Sequence, residues 1–226
     1  MLVQAEPTQL VLRPCPLAVV IVGIDGWAEY TLPAIKSIRE YEPNVPIVVV
    51  DNASDPPYRV SESAEGDPTA VVRTERICYA AAINVGLGVA NADWSVVLNN
   101  DVLCEGEFAA AVNGLSPAGI YGMQLIELGD LRWLGGWIYA ISRECREEVG
   151  DFDEGFELCG FEDLDYCIRA LRLGFHVRKM DLPFNHLWGR TRWGLPSYER
   201  VRKTNQLRVQ EKHGINVGES WMWRVT

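Results

Sequence analysis

Leu17–Ile24 is a continuous apolar run rich in β-branched residues, and it constrains the chain more than any other segment. A strand of that kind is buried on both faces and needs a mostly parallel sheet covered by helices. The same character returns at Ile47–Val50, Thr69–Arg73 and Trp94–Leu98. Two helical segments lie between. In the first, Thr31 is a cap candidate, Pro33 suits the first turn, and Leu32, Ile35, Ile38 and Tyr41 recur at spacing three, closed by Pro43 and Pro46. The second, Tyr79–Asn91, is Ala-rich and helical in character despite Gly86 and Gly88. The order β-α-β-β-α-β predicts an α/β fold, with helices on both faces of a mostly parallel sheet.

The second half is less regular. Gly119–Leu128 and Trp133–Ser142 read as strands, Arg143–Val149 as a short helix and Phe175–Met180 as a strand. Glu162–Leu173 reads as an amphipathic helix stopped by Gly174, and Ser197–Lys212 as a basic helix capped by Ser197. A length of 226 residues suits one main domain. The expected division is an N-terminal extension over 1–16, a domain over 17–190 and a basic, Trp-containing helical appendage over 191–226.

A net charge of −10 makes the chain a poor generic binder of nucleic acid or anionic membrane. Basic residues do gather from Arg190 to Thr226, where eight Lys/Arg face three acids. Trp188, Trp193, Trp221 and Trp223 are interleaved with them. That segment reads either as a terminal helix packing its aromatics or as a site for a flat, anionic acceptor. The six cysteines show no CxxC or zinc spacing, so reduced thiols and a cytoplasmic location are expected. No signal peptide is recognisable, and the longest apolar run is far short of the roughly 20 residues of a membrane span.

Ligands of parallel α/β sheets bind beyond the carboxyl ends of the strands. Asp51 and Asp101 fall there, as turn residues or as ligands of a ribose, base or hard cation. No GxGxxG or GxxxxGK[ST] loop follows a strand, which argues against a dinucleotide fold or a P-loop kinase. Glu162 and Asp163 open a helix, where acids complement the dipole or act as a general base. His186 is a packed imidazole or, with Asp101, half of a mixed N/O site for Mn2+ or Mg2+.

Several ordered blocks from Leu17 to Thr191 together resemble inverting family 2 type glycosyltransferases of the GT-A fold. They are Val19–Val22, Ile47–Ser54, Tyr79–Gly86, Leu98-Asn99-Asn100-Asp101, Gly135-Gly136-Trp137, Val149–Glu154, Glu162-Asp163 with Arg169, and His186 with Gly189. The resemblance implies a nucleotide-diphosphate sugar donor, UDP being the commonest carrier, and an acceptor hydroxyl on a saccharide, a glycoconjugate or a hydroxylated nucleic-acid base. It implies nucleotide or sugar binding by Asp51, Asn52, Asn84, Asn100, Gly136 and Trp137. Asp101 and His186 would ligate Mn2+ or Mg2+, and Asp163, or else Glu162, would be the catalytic base. Asn99 stands where a full DXD motif has its first Asp, and Cys78 where the family often has Gly. The rival readings are a sugar nucleotidyltransferase and a non-catalytic carbohydrate-binding module. The turn Gly23–Trp27 lacks the cation that the former uses.

Overall fold

The computed structural model describes residues 11–58, 69–187 and 198–218. Its strands are β1 (Cys15–Gly23), β2 (Ile47–Asn52), β3 (Thr69–Thr74), β4 (Ala92–Asn99), β5 (Val102–Cys104), β6 (Gly119–Gly122), β7 (Leu125–Leu128), β8 (Leu131–Leu134), β9 (Ile138–Ser142), β10 (His176–Lys179) and β11 (Phe184–His186). The helices are α1 (Leu32–Tyr41), α2 (Tyr79–Ala90), α3 (Ala109–Asn113), α4 (Arg143–Val149), α5 (Glu162–Arg172) and α6 (Tyr198–His213).

Seven strands form one sheet in the order β10-β6-β9-β4-β1-β2-β3. β9 runs antiparallel to both its neighbours, and the other pairings are parallel. The two-residue period of β1 and β2 sorts their side chains. Val20, Val22, Val48 and Val50 face a core closed by α2, α4 and α5, whereas Val19, Ile21, Ile47 and Val49 face one closed by α1 and α3. This is the predicted flanked sheet.

Gly86 explains how a helix with two glycines packs here. A Cβ on it would meet Val20 Cγ1 at 2.3 Å, so α2 lies too close to β1 for any side chain at that position. Gly88 has open space and no such reason.

Several expectations are corrected. Thr31 does not cap α1: it is itself helical (φ −65°, ψ −46°), and a π-helical turn, Trp27–Thr31, precedes it. Both long runs of the second half are broken. The middle of that stretch leaves the sheet as the separate hairpin β7–β8, turned at Gly129 (φ 58°). The break is invisible as a pattern because the hairpin keeps Trp133 and Leu134 buried against α5. The expected cap Ser197 and the four C-terminal tryptophans lie outside the described residues. Within 191–226, α6 buries Val201, Asn205 and Val209 against the domain. All six cysteines are free thiols. Among the described residues no helix is long and apolar enough to cross a membrane.

Candidate active site

The carboxyl ends of β1, β2 and β4 meet the start of β9 at one edge of the sheet. On the β2 side the acids and amides are committed to holding loops. Register sets Asp51 beside Arg73, and its carboxylate takes the guanidinium at 2.5 Å. It also accepts from the backbone N–H of Ser54 (2.9 Å) and of Tyr58 (3.1 Å). Asn52 faces the other way and pairs with both backbone groups of Ile77, at 2.9 Å each.

Asn100 donates to Thr31 Oγ1 at 3.1 Å, and Thr31 donates on to the Tyr58 hydroxyl at 3.0 Å. Burial pushes the Tyr58 phenol up to about 12, so it stays protonated and donates to Asp25 O at 2.8 Å. The buried Thr31 thus ties the β1 turn, the β2 loop and the end of β4 together. Asn84 stands apart, halfway along α2. Its carboxamide is bonded to Phe152 N and O (2.9 Å each) and to Glu154 Oε1 (3.0 Å).

On the β9 side the remaining candidates converge. The antiparallel pairing of β11 with β5 sets His186 opposite Val102, which brings its Nε2 to 3.1 Å from Asp101 Oδ1. Trp137 stacks on that imidazole, with centroids 5.0 Å apart and planes 6° apart, while its indole N–H donates to Gln124 Oε1 at 3.2 Å. The end of β4 bonds back to this block, as Asn99 N donates to Trp137 O at 3.1 Å.

Asn99 itself receives the Tyr79 hydroxyl at 2.6 Å. Burial first, then the nearby Glu162, Asp101 and Asp163 charges, raise the Tyr79 phenol well above its ordinary value. It is therefore a neutral donor. Gly136 is the hinge of this group: a Cβ there would lie 2.9 Å from the Tyr139 hydroxyl and 3.2 Å from Asp163 Oδ2. Asp163 comes from the first turn of α5, where Glu162 and Asp165 also complement the helix dipole. Arg169 does not face this group. It binds Asp165 and the carbonyls of Val149 and Asp151. Cys78, the departure before α2, caps that helix by accepting from Ala81 N at 3.4 Å.

Residues 19–112 match the family model described as "Glycosyl transferase family 2". That stretch is similar to family 2 glycosyltransferases, and the chain has the GT-A fold. That fold is shared with the mannosyltransferase PcManGT from Pyrobaculum calidifontis in complex with GDP-Man and Mn2+. The TM-score is 0.65 and the identity 20%, over 92% of this chain and 65% of that one. It is also shared with GalNAc-T7 with UDP, GalNAc and Mn2+ (TM-score 0.65, 15% identity, 87% and 48% covered). S. aureus TarS is a third such structure (0.57, 12%, 86% and 40%). The chain thus spans 65% or less of the length of these three structures. No curated protein sequence matches it significantly.

The matched stretch ends before Gly136, Trp137, Glu162, Asp163 and His186. Asp101 and His186 offer a carboxylate and an imidazole, a mixed donor set that can take a divalent cation. Two neighbouring ligands of an octahedral ion stand about 3 Å apart, which matches their separation. Among the described residues no group of three or more His, Cys, Asp or Glu side chains forms a cage. A divalent ion here would take its other ligands from water and substrate phosphates, as Mg2+ commonly does.

Proposed function

We propose that the chain transfers a sugar from a nucleoside-diphosphate sugar, UDP-linked in the first instance, to an acceptor hydroxyl with inversion. The observation that carries this reading is one continuous contact path. Asp163 lies against Gly136, the adjacent Trp137 stacks on His186, and His186 bonds Asp101. A base and a diphosphate-side cation site therefore flank one short glycine-tryptophan segment.

Asp101 and His186 would hold Mn2+ or Mg2+. When bound, the ion would neutralise charge gathering on the leaving diphosphate. Asp163 accepts the acceptor hydroxyl's proton as that oxygen bonds to the anomeric carbon. The bond from the anomeric carbon to the diphosphate breaks on the opposite side, its electron pair leaving with the phosphate oxygen. A single displacement of this kind inverts the anomeric centre.

Gly136 leaves the acid room to reach the reacting oxygen. Tyr79, a neutral donor, keeps the Asn99 carboxamide oriented instead of leaving it to the cation. The GDP-Man and the UDP seen with the two relatives make both nucleotides candidates, and a saccharide or glycoconjugate is the proposed acceptor. A melting screen of UDP, GDP and dTDP with and without Mn2+ tests the donor side, because a ligand of the native state raises its apparent stability. A metal-dependent rise with one nucleotide is expected. No rise with any of them, together with no release of nucleoside diphosphate from UDP-glucose, UDP-GlcNAc or GDP-mannose, would refute the proposal.

A further inference from the structure

α6 carries all five described Lys/Arg of the C-terminal segment, and Arg208 and Lys212 among them are tied to acids of the domain. Arg208 and Lys212 hold Asp153 at 3.0 and 2.7 Å. Lys212 and His213 hold the fully buried Asp165 at 2.7 Å each. On the same helix lies Asn205, with no solvent exposure. Its Oδ1 accepts from Glu157 N at 2.9 Å. Its amide donates to the carbonyls of Glu157 (2.8 Å), Gly160 (3.1 Å) and Cys159 (3.3 Å).

Those groups belong to the turn that delivers Glu162 and Asp163. Three of its residues are left-handed: Leu158 (φ 48°), Gly160 (φ 102°) and Phe161 (φ 75°). Leu158 and Phe161 bear side chains, and such residues hold that conformation only where their surroundings enforce it. The turn is gripped from two sides. Asn205 holds it from α6, and Tyr79 N–H, at the first residue of α2, donates to Leu158 O at 2.6 Å.

We propose that Asn205 is a positioning residue for transfer, fixing through the 157–160 backbone the direction from which Asp163 enters the site. This rests on the reading of Asp163 as the base. Asn205 touches no reacting group, and its effect falls on turnover rather than on donor affinity.

The test compares Asn205→Ala and Asn205→Asp with Arg208→Ala in the full chain. Arg208→Ala loosens α6 at its exposed ion pair and leaves Asn205 in place. Nucleoside diphosphate release is followed with Mn2+ and the best-used of UDP-glucose, UDP-GlcNAc and GDP-mannose. Asn205→Ala is expected to lower kcat about 30-fold with the donor KM within about two-fold. Asn205→Asp, which turns a carboxylate on three carbonyls, lowers it further. Arg208→Ala lowers the melting temperature while keeping kcat within about two-fold. A kcat that tracks melting temperature across all three variants overturns the proposal. If Asn205→Ala does not fold, Asn205→Ser, which keeps one donor and one acceptor, carries the same comparison.

Amide hydrogen exchange over residues 158–164 separates this proposal from the transfer reading. Faster exchange there in the Asn205 variants, with β1 and β4 unchanged, supports the grip of α6 even if the unaltered chain turns over no donor. That second result would sink the transfer reading alone. Unchanged exchange overturns the positioning role whatever the activity.

Discussion

Asp51 and Asp163 are both acids beside the same sheet edge, and the two halves of the site treat them differently. Asp51 is 1% exposed and bonded to Arg73, Ser54 and Tyr58, all within β2, β3 and the loop that follows β2. Asp163 stands on the first turn of α5, facing Gly136, and the turn before it is held from α6. The Asp51 side, the proposed donor half, is thus held largely by bonds among β2, β3 and the loop after β2. The transfer half is assembled from segments far apart in the chain. Asp163 Oδ1 accepts from the neighbouring Leu164 N at 2.8 Å, and as the proposed base it must still offer an oxygen to a proton, so its placement has to come from what lies behind it.

The sharpest way to break this contrast is Asp163→Asn. Turnover should fall about 1,000-fold with nucleotide binding nearly intact, because only proton acceptance is removed. Equal loss of both would place Asp163 with the structural acids. Asp51→Ala should do the reverse. It leaves Arg73 and two backbone donors without their acceptor and should lower unfolding stability by about 3 kcal/mol in urea melts. A stable Asp51→Ala chain that merely binds nucleotide less well would erase the distinction.

His186→Ala, which removes a proposed direct ligand, should weaken Mn2+ binding in the presence of UDP by at least the roughly 10- to 100-fold typical of losing an outer-shell partner, read by calorimetry. Gly136→Ala should cost about ten-fold in turnover, since its Cβ meets the Tyr139 hydroxyl and crowds Asp163, while UDP binding stays level.

The smallest effect concerns acid. Burial works to raise the Asp165 carboxyl, but hydrogen bonds from Lys212 and His213 and the Arg169 charge outweigh it and hold it below the ordinary carboxylate range. The folded chain then binds fewer protons at Asp165 than the unfolded chain does. Its stabilisation is present above about pH 4 and drains as pH falls further. Between pH 6 and pH 3, Asp165→Asn should lose less stability than the unaltered chain in urea melts, and an equal loss would remove Asp165 from the acid response.

Much of the donor half was legible in the sequence. Its strands are apolar runs rich in β-branched residues, and Asp51 follows directly from where one of them stops, as Asp101 does after β4 on the other side. The extent of β5 and β11, three residues each, was not legible, because a period cannot show in so few positions. Their pairing is nevertheless what carries His186 to Asp101. Trp137 was expected beside nucleotide or sugar, and its stacking on His186 has no sequence signal, since it depends on how β9 enters the sheet. Asn205 drew no attention, being one amide in a polar helix.

By itself the sequence determined the flanked sheet, the acids at its strand ends and the acidic start of α5, because these rest on periodicity and on neighbours within a few residues. Only the tertiary structure decided which polar groups are occupied and which face the site. That choice is made by contacts across 48 to 85 residues of chain, such as Asn205 with Glu157 and His186 with Asp101. Contacts at that separation are set by packing of the whole domain and leave no local pattern to read.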